Sequence, residues 1–414
     1  MNHSAQTGVE RLRDEPGLVD GRRIGLVTNY TGVMPDLGRN VDALLAAGVP
    51  LTALFGPEHG LRGTAQAGGS ENETRDASTG LALFDTYQRS GASLDELVTA
   101  AGVDVLMVDL QDIGTRFYTY VWTMYDLMVV AARMQLPFVV LDRPNPIAGL
   151  HTEGPLLDPS FASFVGRCPI PIRHGLTLGE LAVHLNRTAV PDDSGRPADL
   201  RVVPMTGWSR SMFFDQTGLP WVMPSVNMPT LDTALVYPGT GLFEGTNVSE
   251  GRGTTRPFKL IGAPYIDGRW ASALNDRKLP GVRFRDTWFT PTFHKYAGES
   301  VRGVQVHVTD RTVVQPVRTA VTMLHTLRQL YPGEFGWRAA PEGGTHRHFI
   351  DLLWGNDELR ATIDAGDDPE RTLSFGEGRP TSATDRAEPD TAEPDTAEPD
   401  RAGPDWAGTE VLLY

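Results

Sequence analysis

Apolar residues fall in short unbroken runs through the first half of this chain, and between those runs they recur at helical spacing. IGLVT (24–28), LTALF (51–55), VDVLMVDL (103–110), FVVLD (138–142) and LRVVPM (200–205) have the continuous Val, Leu and Ile content of strands buried on both faces. NVDALLAAG (40–48), SLDELVTAAG (93–102), TYVWTMYDLMVVAARM (119–134) and TLGELAVHLN (177–186) have the spacing of amphipathic helices. The last opens on a Thr-x-x-Glu capping box at Thr177 and Glu180. Regular alternation of the two patterns predicts an α/β fold with a doubly wound parallel sheet.

From about residue 206 the pattern gives way to a Gly- and Pro-rich passage, which puts a domain junction near 232. Residues 1–232 form the first domain in this reading and 233–414 a smaller α+β domain. In the latter, VRFRDTWF and VRGVQVHVTD read as strands, and VQPVRTAVTMLHTLRQLY (314–331) and DELRATIDAG as helices. Residues 386–405 read RAEPD, TAEPD, TAEPD, RAGPD, without a large apolar side chain, so an insertion at about 379–406 is expected to be disordered. The closing VLLY is expected to return to the body as a strand.

Composition narrows the function. A length of 414 residues exceeds one ordinary core. The net charge of −15 argues against nucleic acid, although the EPD repeats, with seven acids against two arginines, carry a third of it. The single cysteine, Cys168, forms no intrachain disulfide, and no Cys/His cluster has metal-site spacing. The first 25 residues carry charges throughout and no apolar core of a signal peptide, so a cytoplasmic location is expected. No stretch approaches the roughly 18 apolar residues of a membrane span. The turn after the first strand, TNYTGVMPDLG, lacks the dinucleotide glycines, and neither a phosphate loop nor a G-x-S-x-G elbow occurs. No metal and no nucleotide cofactor is expected.

Ligands of open parallel sheets bind outside the strand C-terminal ends, and here every such end is polar. Asn29 follows the first strand; GPEHGLRG, with Glu58, His59 and Arg62, the second; DLQDIGTRFYTY, with Asp109, Gln111, Asp112, Arg116 and Tyr118, the third; DRPNP, with Arg143 and Asn145, the fourth. Pro57 and Gly60 fix an unusual backbone around Glu58, which favours a ligand-facing carboxylate over a helix cap or a pair with Arg62. Asp109 and Asp112 offer a second carboxylate of the kind glycoside hydrolysis requires, or Asp109 is structural, as a cap or a partner of Arg116. Arg143 pairs with Asp142, meets a ligand, or both. The run EGTNVSEGRGTT, with Glu244, Asn247, Glu250 and Arg252, is too polar to build a core and reads as a ligand-facing loop rather than a linker.

Together NYTG, LFGPEHGLRG, DLQDIGTRFYTY, LDRPNP, SFVG, IPIRHGLTLGELA, TGLPWVMPSVNMPT and EGTNVSEGRGTTRPF, in this order, closely resemble the NamZ family of exo-β-N-acetylmuramidases. The likeness runs from about residue 20 to 375 and recurs in VLLY. It implies a Rossmann-like catalytic domain, an ancillary C-terminal domain and a cleft between them. It further implies release of N-acetylmuramic acid from the non-reducing ends of peptidoglycan fragments, muropeptides and MurNAc-GlcNAc among them, without a nucleotide. Glu58 of PEHG is the implied catalytic acid, and the matched motifs add His174 and Asn227 to the implied substrate contacts. Arg116, Arg143 and Arg252 are candidates to bind the lactyl carboxylate. A catalytically inert muropeptide-binding protein and a hexosaminidase for another amino sugar are the alternatives.

Overall fold

The computed structural model describes residues 5–19, 23–66, 68–71, 74–340, 348–373 and 405–414. The EPD repeats therefore lie, but for Asp405, outside the described residues. Six parallel strands, β1 (Ile24–Thr28), β2 (Leu51–Gly56), β3 (Ala82–Asp85), β4 (Val105–Asp109), β5 (Pro137–Leu141) and β6 (Asp199–Val203), form one sheet in the order β3-β2-β1-β4-β5-β6. The order reverses between β1 and β4, as in a Rossmann-like doubly wound fold.

Every residue of β1 and β4 is buried, because neighbouring side chains leave by opposite faces and both faces are covered. Leu26, Leu54, Met107 and Val139 pack on one side with Val9, Leu12, Val41 and Leu44 of helices Gly8–Asp14 and Asn40–Ala46. Val27, Phe55, Val108 and Val140 pack on the other with helices Ala92–Ala101, Tyr120–Met134 and Leu178–Thr188. The last helix has its capping box: Thr177 Oγ accepts from Glu180 N, and the Glu180 carboxylate accepts from Thr177 N.

A second, antiparallel sheet of β7 (Leu260–Ala263), β8 (Val282–Phe289) and β9 (Val301–Val308) has the order β7-β9-β8. Its alternating burial fits one covered face. Helices Arg269–Asp276 and Pro316–Leu330 cover it, and their apolar residues belong to the same cluster as the face of the first sheet that carries Val27. One continuous core thus joins the two halves.

Three features depart from the sequence expectation. β3 is a short, half-buried edge strand whose one strand partner in the sheet is β2, with a single bridge from Ala82 to Arg75 on its other side, and four residues give too little pattern to announce it. Within the Gly- and Pro-rich passage, Leu231–Thr240 is a helix despite Pro238 and Gly239; Thr230 caps it, and Gly239 lies where it crosses helix Pro316–Leu330, 1.8 Å from Pro316 O for any added Cβ. VLLY is not a strand. The chain end turns over two buried carboxylates, Leu413 N donating to Glu180 Oε1 at 2.9 Å and Tyr414 OH to Asp142 Oδ2 at 2.7 Å, which satisfies groups that strand pairing would leave bare. No helix among the described residues is long and apolar enough to cross a membrane.

Candidate active site

Glu58 stands two residues past the end of β2 in a loop whose conformation its sequence dictates. Gly60 N donates back to Pro57 O at 2.9 Å, and His59 N reaches Gly69 O at 3.0 Å. His59 and Gly60 both have positive φ, +73° and +79°, costly for an imidazole-bearing residue and natural for glycine. The Glu71 carboxylate accepts from Arg62 N, Thr64 N and Thr64 Oγ and so fastens the far limb of the loop. Gly63 lies flat on Tyr30 of the neighbouring loop, where a Cβ would fall 1.8 Å from the ring. On this frame the half-buried Glu58 carboxylate accepts from Gly68 N at 2.8 Å and from Thr119 Oγ at 2.6 Å. Thr119 precedes helix Tyr120–Met134, so the carboxylate sits at that helix's N-terminal end. His59 Nδ1 lies 2.9 Å from Ala65 O, which puts the proton on that nitrogen.

The loop opens on a cleft of about 310 Å³ built by both halves of the chain. Glu58, His59, Tyr118 and Asn227 line it from the first half, Glu244, Arg252, His294 and Arg338 from the second. Its floor is aromatic: Tyr237 meets Phe258 edge-on at 4.6 Å and Tyr118 at 6.0 Å. Burial drives the hydroxyls of Tyr118 and Tyr237 well above the usual tyrosine range, so they stay neutral. Arg252 lies 5.0 Å over the Phe258 ring and donates to Glu244 at 2.5 Å. Beneath it, Glu250 is fully buried and meets Lys295 Nζ at 2.9 Å, His294 Nδ1 at 3.1 Å and Arg252 Nε at 3.4 Å. Burial would raise the Glu250 pKa, but Lys295, His294 and Arg252 together hold it far below the usual carboxylate range. Arg338 is exposed at the rim, 5.8 Å over the Phe349 ring, with no ion pair to a carboxylate among the described residues.

The cleft therefore gathers Glu58, His59, Tyr118, Asn227, Glu244 and Arg252 of the residues singled out in the sequence, and the others lie elsewhere. At the β1/β4 reversal, Asp109 is wholly buried and accepts from Arg143 Nε at 2.5 Å, Arg143 Nη2 at 2.9 Å and Asn40 Nδ2 at 2.6 Å. Arg143 thus pairs with Asp109 rather than Asp142. Asn29 closes on Thr31 at 2.6 Å, and Gln111 donates to Asp112 O and Pro144 O. A space of only about 10 Å³ is left there, lined by Thr31, Gln111 and Arg143 among others. Asp112 accepts from Gly114 N and lies 3.3 Å from His174 Nε2, while His174 Nδ1 accepts from Leu176 N, so the imidazole proton faces Asp112. Asn145 donates to Leu176 O at 3.0 Å.

Arg116 is fully buried and has no ion pair with an aspartate among the described residues. Its guanidinium donates to Pro155 O and Ile170 O of the first half and to Leu353 O and Trp354 O of the second. Burial pulls its pKa down to about 9, which still leaves it charged at neutral pH. Asn247 ties its own loop to Glu334 O, Gly336 N and Tyr265 OH, outside the cleft. Arg62 is exposed beyond the cleft wall. Sequence reading passed over His294 and Arg338. For His294 a positive φ of +69° marks a special backbone that no motif discloses, whereas Arg338 is an arginine like many others until the chain folds. Among the described residues no three His, Cys, Asp or Glu side chains group as a metal site would require.

Comparison with known proteins agrees along the whole body. Residues 24–232 match the family described as "Exo-beta-N-acetylmuramidase NamZ, N-terminal", and residues 235–375 match "Exo-beta-N-acetylmuramidase NamZ, C-terminal". A protein of Bacillus subtilis (strain 168) named peptidoglycan beta-N-acetylmuramidase NamZ is 46% identical over 372 residues, which is 89% of this chain and 86% of its own. Two crystal structures of DUF1343 family proteins from Bacteroides fragilis superpose with TM-scores of 0.78 and 0.67 at 35% and 28% identity, each over 89% of this chain and 93% of theirs. With both halves matched in order and the fold shared, the chain belongs to the NamZ family of exo-β-N-acetylmuramidases.

Proposed function

We propose that this protein is a glycosidase that removes N-acetylmuramic acid from the non-reducing ends of peptidoglycan fragments, with Glu58 as the proton donor. One observation carries the assignment of roles: Glu58 is a half-buried carboxylate at the edge of a sugar-sized cleft, held by Gly68 N and Thr119 Oγ on a loop that Gly60 and Gly63 fit into place. A hydroxyl can donate to a carboxylate or accept from a carboxylic acid. The Thr119 contact therefore serves Glu58 before and after it gives up its proton to the glycosidic oxygen.

In this reading the aromatic floor receives the apolar face of the muramyl ring, and Arg338 meets its lactyl carboxylate, since a planar fork suits bidentate binding. Arg252 is already balanced by Glu244 and Glu250 and holds its loop, while Arg116 and Arg143 are spent inside the fold. The domain division near 232 then separates the half that supplies the acid from the half that supplies Arg338. A cytoplasmic setting suits the buried Cys168, whose thiol burial pushes up to about 12.

The test is Glu58→Gln, nearly isosteric but unable to transfer a proton. Turnover of a muramyl disaccharide, whose sugar hydroxyl needs a proton in order to leave, should fall about 10²- to 10⁴-fold, with calorimetric binding of the same disaccharide retained; nitrophenyl N-acetylmuramide and glucosaminide are compared on the wild type. A variant that keeps more than half its turnover removes Glu58 from the role. A wild type that binds but never cleaves makes the protein an inert binder, and one that prefers the glucosaminide makes it another hexosaminidase.

A further inference from the structure

Glu58 belongs to two cavities. Beside the cleft lies a second space of about 410 Å³, and Glu58, Tyr87, Thr119 and Phe164 stand in the wall common to both. Gln88, Arg89, Trp122 and Thr123 line the second space alone. Thr119, which donates to Glu58, and Thr123 are four positions apart at the start of helix Tyr120–Met134, so they lie on one face a turn from each other. A single helix face thus holds the carboxylate and floors the neighbouring cavity.

The chemistry of glycoside cleavage needs this arrangement. The C1–O bond breaks, its electron pair leaves with the oxygen, the proton of the acid completes the departing hydroxyl, and water supplies the hydroxyl gained by the muramyl carbon. The oxygen being protonated has one sugar on either side, so its donor must stand between two sugar-sized spaces. The cleft with the cation Arg338 suits the sugar that carries a carboxylate. We propose that the second cavity is the leaving-group site and takes the neutral N-acetylhexosamine released by cleavage. The half-buried Tyr87 offers its ring in the shared wall, and exposed Gln88 and Arg89 place amide and guanidinium donors where the cavity meets solvent and a longer glycan can continue. This inference rests on Glu58 being the proton donor.

Two substrates separate the leaving-group site from the rest: N-acetylmuramyl-N-acetylglucosamine fills it with a sugar, and nitrophenyl N-acetylmuramide with a small flat ring. Thr123→Tyr should narrow the space one turn from Glu58, and Arg89→Ala removes an exposed donor without touching the core. The ratio of kcat/KM for the disaccharide to that for the nitrophenyl substrate should fall at least about tenfold in Thr123→Tyr and about threefold in Arg89→Ala. Ratios within twofold of wild type in both variants overturn the assignment while leaving the glycosidase reading intact. A wild type that releases product from neither substrate overturns that reading and this inference with it.

Discussion

Two polar clusters lie at the C-terminal edge of the same sheet, and they have opposite fates. At the β1/β4 reversal, where the topology of an open parallel sheet provides its natural crevice, Asp109, Arg143, Asn40 and Gln111 bond to one another or to nearby carbonyls and leave about 10 Å³ of space. One strand over, Glu58 is held by one amide and one hydroxyl beside a cleft of about 310 Å³. The first cluster has an arginine long enough to fill its crevice. The second has Pro57, Gly60 and Gly63, which carry the chain away from the sheet, and a second domain that supplies the opposite wall. A polar strand end thus marks where a site can form; whether the partners are already saturated inside the protein decides which of them remains one.

Substitutions at the two clusters should therefore trade stability against activity. Where Glu58→Gln is expected to remove turnover and spare the fold, Asp109→Ala leaves the Arg143 guanidinium buried and unpaired and should cost about 3–5 kcal/mol in denaturant unfolding. Protein that stays folded should keep turnover within a few-fold. Unchanged stability with a hundredfold loss of turnover in Asp109→Ala would reverse the comparison. On the cleft side, Arg338→Met should reduce the preference for muramide over glucosaminide by about tenfold to a hundredfold in kcat/KM, the range for a hydrogen bond to a charged group. Unaltered discrimination would send the lactyl carboxylate to another residue.

The smallest effect is expected beside the filled crevice, at Tyr414. Burial lifts the Asp142 carboxyl from its ordinary 3.8 to about 6, against the hydrogen bonds from Tyr414, Gly179 and Thr177. A carboxyl whose folded pKa lies above its unfolded one destabilises the fold as pH rises through the interval between them, here about 4 to 6. Tyr414→Phe removes one donor and moves the folded value higher still. The variant should therefore be about 1–2 kcal/mol less stable than wild type at pH 8, with the gap narrowing below pH 5 to the part that comes from Met205 N, which loses its acceptor at every pH. Melting curves at the two pH values check it, and a gap that widens in acid would contradict the assignment.

The alternation of buried runs and amphipathic segments made the first sheet legible, because strands such as β1 and β4 need apolar residues throughout. β3 and helix Leu231–Thr240 were not, the one for its length and the other for its Pro and Gly. At the site, the PEHG loop stood out since a carboxylate between proline and glycine is not a core motif. What the sequence could not disclose was saturation. Asp109 and Glu58 look alike as letters, and only the 2.5 Å contact with Arg143, 34 positions further along, distinguishes them. Arg338 was hidden for the opposite reason, since it reaches the cleft by long-range packing and belongs to no local pattern.

Arg116 bears on how sugars enter and leave. Its one cation is fully buried and shared by carbonyls of both halves, two from each. A clamshell swing about this point would strip several charge-assisted bonds at once, each contributing about 1.5–3 kcal/mol. Arg116 therefore acts as a rivet instead of a hinge pin. Traffic through the cleft falls to its mouth, where exposed side chains such as Arg338 and Phe293 relax on the picosecond-to-microsecond scale of surface groups and loops. Product escape is therefore expected to follow substitutions at that lip, such as Phe293→Ala, rather than at any joint between the domains.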